Sequence, residues 1–166
     1  AVARQGGEQT GGKLSKKTRL QDFGSFIGIS AGNTLDQVCE KLGQPDYVDQ
    51  KSSSAYWYLC KERTGYLRLV YNGKARRVEC LFLRTQDDES APGLSARDFL
   101  DRKKVTDAKI ACLGATASEI VSAFGEPANK ESGTYRYEID KEGIRTVEFS
   151  CRPFREKTCS RIYIHY

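Results

Sequence analysis

The chain has 166 residues, 39% of them apolar and 30% charged, with a mean hydropathy of −0.59. That is material for one substantial core or two small lobes and excludes a large multidomain enzyme. An aromatic content of 10% argues against wholesale disorder, and no apolar run approaches the roughly 20 residues of a membrane span. Of the net charge of +5, +4 lies in residues 1–20. The remaining body carries no basic footprint for a phosphate backbone, so no nucleic-acid partner is expected.

Residues 1–18 are rich in Gly, Gln, Lys and Thr and read as a flexible basic leader. Such a leader is most simply a solvated segment, and it leaves membrane proximity open. The sequence contains no methionine, so an N-terminal segment is expected to have been removed. Six cysteines without CxxC spacing, and His165 as the single histidine, fit an oxidising compartment better than a zinc site. The expectation is a secreted or periplasmic protein of the cell envelope with no metal and no cofactor.

In chain order, a weak helical pattern over 17–26 precedes a strongly marked one. Asn33 to Pro45 aligns without gaps to Ala115 to Pro127. Thr34 with Gln37, and Thr116 with Glu119, have the spacing of a capping box. Val38 and Leu42, like Ile120 and Phe124, lie four apart on one helix face. Gly43 and Gly125 suit a left-handed helix end, and Pro45 and Pro127 stop the helix from resuming. Strand-like runs follow at 55–61, 66–72 and 77–84, with Asn72-Gly73 as a turn. Residues 85–94 read as a linker, and a helix is expected from Ser95 to Lys104. Three further runs fall at 134–140, 144–151 and 159–166, with a longer loop from Arg152 to Thr158. The expected fold is α+β: a first repeat over 19–84 and a second over 95–166, each two helices followed by an antiparallel meander.

The motif Gly32-x-Thr34-x-x-x-Val38 with Leu42-Gly43-x-Pro45, and its counterpart Gly114, Thr116, Ile120, Phe124, Gly125 and Pro127, resembles the SmpA/OmlA and β-lactamase-inhibitory-protein group. That resemblance implies two tandem lobes whose sheets join into one concave face. It also implies binding of other proteins, either as an inhibitor of an extracellular enzyme or as an envelope assembly lipoprotein. Two features depart from the group. Residues 1–38 contain no cysteine to carry a lipid, and the turn at Asn72-Gly73-Lys74 has no acid at its tip.

Side chains alternate between strand faces, so the repeat supplies a rule for the faces. Arg136 and Glu138 are poor core residues, which sends Tyr135, Tyr137 and Ile139 inward and, by alignment, Tyr56, Tyr58 and Cys60. The expected outer face of the first half is then Trp57, Leu59, Tyr66, Arg68, Val70 and Phe82, joined by Tyr163 from the last strand. Trp, Tyr and Arg dominate interface energetics, so Trp57, Leu59, Tyr66, Arg68, Phe82 and Tyr163 are the candidate partner-binding residues. A homodimer or internal cover are the alternatives. Phe154, on the Arg152–Thr158 loop, is a second candidate contact.

The cysteines are disulfide candidates: Cys39 with Cys60, Cys151 with Cys159, and Cys80 with Cys112, among the 15 connectivities six cysteines allow. No catalytic residue is assigned. His165 has no nucleophile within reach along its own strand, and no phosphate loop, metalloprotease helix or esterase elbow is present. A lipid or small-ligand carrier is the contrasting class.

Overall fold

The computed structural model describes Leu14 and residues 18–86, 93–140, 145–151 and 158–166. A 3-10 turn over Leu20–Gly24 leads into a short ribbon, β1 (Ser25–Phe26) and β2 (Ile29–Ser30). Helix α1 spans Leu35–Leu42. It is followed by β3 (Tyr47–Asp49), β4 (Ser54–Tyr58), β5 (Tyr66–Asn72) and β6 (Arg77–Arg84). Helix α2 (Leu94–Arg102), a 3-10 turn over Ala108–Cys112 and helix α3 (Ala117–Phe124) come next. The chain closes with β7 (Asn129–Glu131), β8 (Thr134–Glu138), β9 (Thr146–Cys151) and β10 (Cys159–His165).

The expected pair of helix–helix–sheet repeats is not what forms. The eight strands β3 to β10 make one antiparallel sheet in the order β3-β4-β5-β6-β10-β9-β8-β7, beside the β1-β2 ribbon. Among the described residues, α1 is the one α-helix of the first half, because where a helix is expected over 17–26, Leu20–Gly24 form a 3-10 turn and Ser25–Phe26 a ribbon strand. Each half contributes four strands to the sheet, the unexpected ones being the edge strands β3 and β7. The halves meet at β6 and β10, where Leu83 pairs with Ile162, Phe82 with Tyr163 and Leu81 with Ile164.

The helices form for the reasons legible in their sequences. In α1, Gln37 N donates to Thr34 Oγ1 at 3.2 Å while Thr34 N donates to Gln37 Oε1 at 2.9 Å. In α3, Thr116 and Glu119 exchange the same two bonds, both at 3.1 Å. Gly43 and Gly125 end the helices at φ 79° and 83°, a region that glycine enters at little cost.

The core interlocks the halves, which is why they do not separate into lobes. Phe23, from the segment before α1, packs on Phe124 and Phe149 of the second half at centroid distances of 5.9 and 5.5 Å. Ile27 N donates to Asp107 Oδ2 at 2.7 Å. In return α2, which precedes the second half, reaches the first, where Arg102 Nη2 donates to the Leu59 carbonyl at 3.3 Å. The buried apolar residues of ribbon, helices and sheet form a single cluster. One face of the sheet is thus committed to the core, and among the described residues the other carries no helix.

Candidate interaction face

Strand parity decides what the helix-free face displays, and here the sequence reading needs correction. Trp57 and Leu59 are only 1% and 2% exposed and belong to the core. Trp57 Nε1 donates to the Gly43 carbonyl at 3.1 Å, tying β4 to the end of α1. In the second half Tyr137 OH donates to the Gly125 carbonyl at 2.8 Å. Trp57 therefore corresponds to Tyr137, and Tyr56 and Tyr58 correspond to Arg136 and Glu138. The sequence alignment of the halves was one residue out of step on this strand, and a slip of one exchanges the two faces. The preceding turn runs over 50–53 in the first half and over Ser132-Gly133 in the second, a difference of two residues that keeps parity, so the slip comes from matching tyrosine to tyrosine between the two strands. Both alternations of the strand, Ala55-Trp57-Leu59 and Tyr56-Tyr58-Cys60, are apolar enough to be core. Only the register of the sheet separates them.

Tyr66, Arg68, Phe82 and Tyr163 do lie on the open face, half-buried by their neighbours. Cross-strand pairing places Tyr47, Tyr56, Arg68, Phe82, Tyr163, Glu148, Arg136 and Asn129 in one row across all eight strands. The rings of Tyr47, Tyr56, Tyr66, Phe82 and Tyr163 follow one another at centroid distances of 5.8, 5.6, 6.1 and 5.6 Å. These spacings are those of favourable edge-to-face and offset aromatic pairs. Arginines sit among the rings. Arg68 stands 5.6 Å from the Tyr56 centroid and Arg84 5.9 Å from that of Tyr66. Arg68 Nε also donates to Ser54 Oγ at 3.0 Å, which fixes its stem. Tyr47, on edge strand β3, is 52% exposed and Val48 beside it 39%. At this edge Tyr47 and Tyr58, with Arg63 and Arg102, line a shallow groove of about 750 Å³.

The second half of the same face is different in kind. Arg136, Glu138, Thr146, Glu148 and Ser150 occupy the positions that Tyr56, Tyr58, Tyr66, Arg68 and Val70 hold in the first. The aromatic character stops at Tyr163.

The row beside this one contains an unusual pair. Arg84 and Arg161 face each other across β6 and β10, and neither has an ion-pair partner among the described residues. Arg84 Nε is buried with no hydrogen-bond partner. An orphaned donor of this kind costs about 1–3 kcal/mol.

His165 is paired with Cys80 across β10 and β6, a juxtaposition invisible along either strand alone. The Cys80 thiol accepts from Tyr163 OH at 3.2 Å, and burial raises its pKa. A thiol held protonated is a poor nucleophile. Burial also lifts the Tyr163 phenol to about 12, with Cys80 adding to the effect.

No disulfide bond joins any of the six cysteines in this structure. The expected Cys80–Cys112 pairing fails on geometry, because Cys80 is on the open face while Cys112 is in the core behind the sheet. The Cys39–Cys60 bond is not made either. Cys60 Sγ lies 3.6 Å from Thr64 Oγ1, in the turn after β4. Cys151 and Cys159, by contrast, are direct cross-strand partners. Burial, with the adjacent Cys151 thiol, pushes the Cys159 thiol well up. Phe154 and most of the loop between them lie outside the described residues. Among the described residues, no three His, Cys, Asp or Glu side chains gather as a metal site, and no helix is long and apolar enough to cross a membrane.

No family model and no curated protein matches the sequence. A solved structure of a DUF4309 family protein, YjgB, from Bacillus subtilis subsp. subtilis str. 168 is similar, with a TM-score of 0.50 over 83% of this chain and 82% of that one. At 12% identity the likeness is one of fold alone, and it carries no function across.

Proposed function

We propose that the chain is a non-catalytic protein-binding module that uses the aromatic half of its helix-free sheet face. The observation that carries this reading is the unbroken run of Tyr47, Tyr56, Tyr66, Phe82 and Tyr163 with Arg68 among them, on a face that no helix covers among the described residues. Rigid rings with an embedded guanidinium supply contact area at low entropic cost, the composition of interface hot spots. The partner is a different protein presenting carboxylates or hydroxyls to Arg68. The working compartment is the cell envelope or its exterior, a reading supported by the adjacency of Cys151 and Cys159. Inhibition of an extracellular or envelope enzyme is the form of binding we favour.

The test is a photo-crosslinking residue placed at Phe82, compared with one at Glu40 on α1, in envelope and secreted fractions of the source organism. A single partner crosslinked from position 82 and lost with Tyr66→Ala supports the proposal. Losing an anchor of this type costs about 2 kcal/mol, roughly thirtyfold in affinity. Crosslinking from position 40 alone, or a concentration-dependent dimer by ultracentrifugation, overturns it. A thiol count on protein isolated without reductant tests the compartment: Cys151 and Cys159 are expected oxidised, and six free thiols would remove that part of the reading.

A further inference from the structure

At the junction of the two halves a cleft of about 270 Å³ is lined by Arg84, Thr85, Gln86, Ser132, Thr134, Ser150, Cys151, Ser160 and Arg161. We infer that this cleft binds a tetrahedral oxyanion, a phosphate group, between the guanidinium groups of Arg84 and Arg161. The inference is independent of the protein-binding reading and goes beyond it.

Three observations converge. Arg84 and Arg161 are direct cross-strand partners, a placement that is destabilising for like charges unless an anion lies between them. The Arg84 Nε is buried and unpartnered, although Arg84 is otherwise held in place over the Tyr66 ring. A bound oxyanion would give it an acceptor. Finally, among the described residues the lining contains no carboxylate to compete; Glu131 and Glu148 line the neighbouring cleft with Arg136.

The rest of the lining favours phosphate over a carboxylate. Thr134 Oγ1 and Ser150 Oγ are 3.2 Å apart, so one proton serves the bond between them and the other hydroxyl is left free to donate. Thr85 Oγ1 is already engaged with the Ser160 carbonyl at 3.3 Å, but among the described residues the Ser160 hydroxyl has no partner. Two planar forks and neutral hydroxyls arranged around a cavity match an acceptor with oxygens in three directions. The volume is several times the roughly 30 Å³ that one water occupies in the liquid, so a phosphate group fits with water to spare.

The experiment titrates inorganic phosphate into the full chain at constant ionic strength, with chloride as the balancing anion. Binding is read by calorimetry and by the Arg84 Nε–H signal in a nitrogen–proton correlation spectrum. Saturable binding that shifts this signal is expected, at least about tenfold weaker in Arg84→Gln and in Arg161→Gln and partly retained in Arg161→Lys. Glycerol phosphate in a parallel arm separates a free-ion site from one that accepts a phosphate monoester. Acetate is expected to bind much more weakly than either. Arg161 is exposed, so its replacement tests the site with the fold intact, as circular dichroism will verify. Absence of saturable binding, equal binding by the Arg84→Gln/Arg161→Gln double variant, or acetate binding as tight as phosphate overturns the inference.

Discussion

The two halves of the sheet agree on one face and disagree on the other. Behind the sheet, Trp57 and Tyr137 do the same work on equivalent strands, each closing a hydrogen bond to the carbonyl of the glycine that ends the neighbouring helix. On the open face, Tyr56, Tyr66 and Arg68 stand where Arg136, Thr146 and Glu148 stand in the other half. Packing needs a large ring with a polar tip at the core position, and both halves satisfy it. Nothing in the packing requires the open face to be aromatic in one half and polar in the other. That asymmetry is where a binding specificity would be written, and it is the reason to look for a partner on the first half.

The comparison can be broken or sharpened by substitution, starting with the core. Trp57→Ala should destabilise the fold by about 3–5 kcal/mol, whereas Tyr137→Phe keeps the ring and should cost only about 1 kcal/mol. Urea denaturation of both variants checks this; a mild Trp57→Ala would return that residue to the surface. Next come the turns. Gly133 has φ 80° and a Cβ there would meet the Cys151 carbonyl oxygen at 2.6 Å, while Gly73, at φ 78°, has nothing within 4 Å. Both alanine variants bear the left-handed penalty of about 1 kcal/mol, and Gly133→Ala should lose distinctly more. Equal losses by thermal unfolding would mean that the tight β7–β8 turn does not constrain the second half.

Alkali should act through Tyr137 and Tyr163. Burial raises both phenols from 10.0 to about 12, Tyr163 with help from Cys80. A raised pKa favours the neutral form in the folded state, so this stability is complete below pH 10 and is lost as pH rises through 12. Circular dichroism followed with tyrosinate absorbance should show unfolding and ionisation together in that window, displaced upward in Tyr163→Phe. Ionisation of every tyrosine before any unfolding would contradict the assignment. The smallest effect on stability concerns the face itself. Arg68→Ala and Glu148→Ala should each change stability by no more than about 0.5 kcal/mol. Only Arg68→Ala should weaken capture of the partner, and equal weakening would spread the interface over both halves.

Particular residues show how far the sequence could be read. The Thr34–Gln37 and Thr116–Glu119 boxes and the closing glycines are local devices, so α1 and α3 were legible residue by residue. Strands β5 and β6 were as well, because Asn72-Gly73 marks the turn between them. Trp57 is misplaced by the sequence pattern because its strand is apolar on both alternations, and matching tyrosine to tyrosine between the halves selects the wrong one. Edge strands β3 and β7 escaped notice for a different reason. Three residues such as Asn129–Glu131 carry no period, and they are strands only because β8 offers a ladder to join.

What the sequence determined by itself, then, is what depends on neighbours within a turn or two of chain: the capped helices, most of the strand segments and the turn glycines. Tertiary structure alone decided that Phe23 packs on Phe149 and α2 against the first half, merging two expected lobes into one core. It also decided which alternation of β4 faces solvent and which residues meet across strands, among them Arg84 with Arg161 and Cys80 with His165. Pairings of this kind join residues some eighty positions apart, and no local preference encodes them. They follow from the burial of the whole apolar set in one layer, which settles the register of every strand at once.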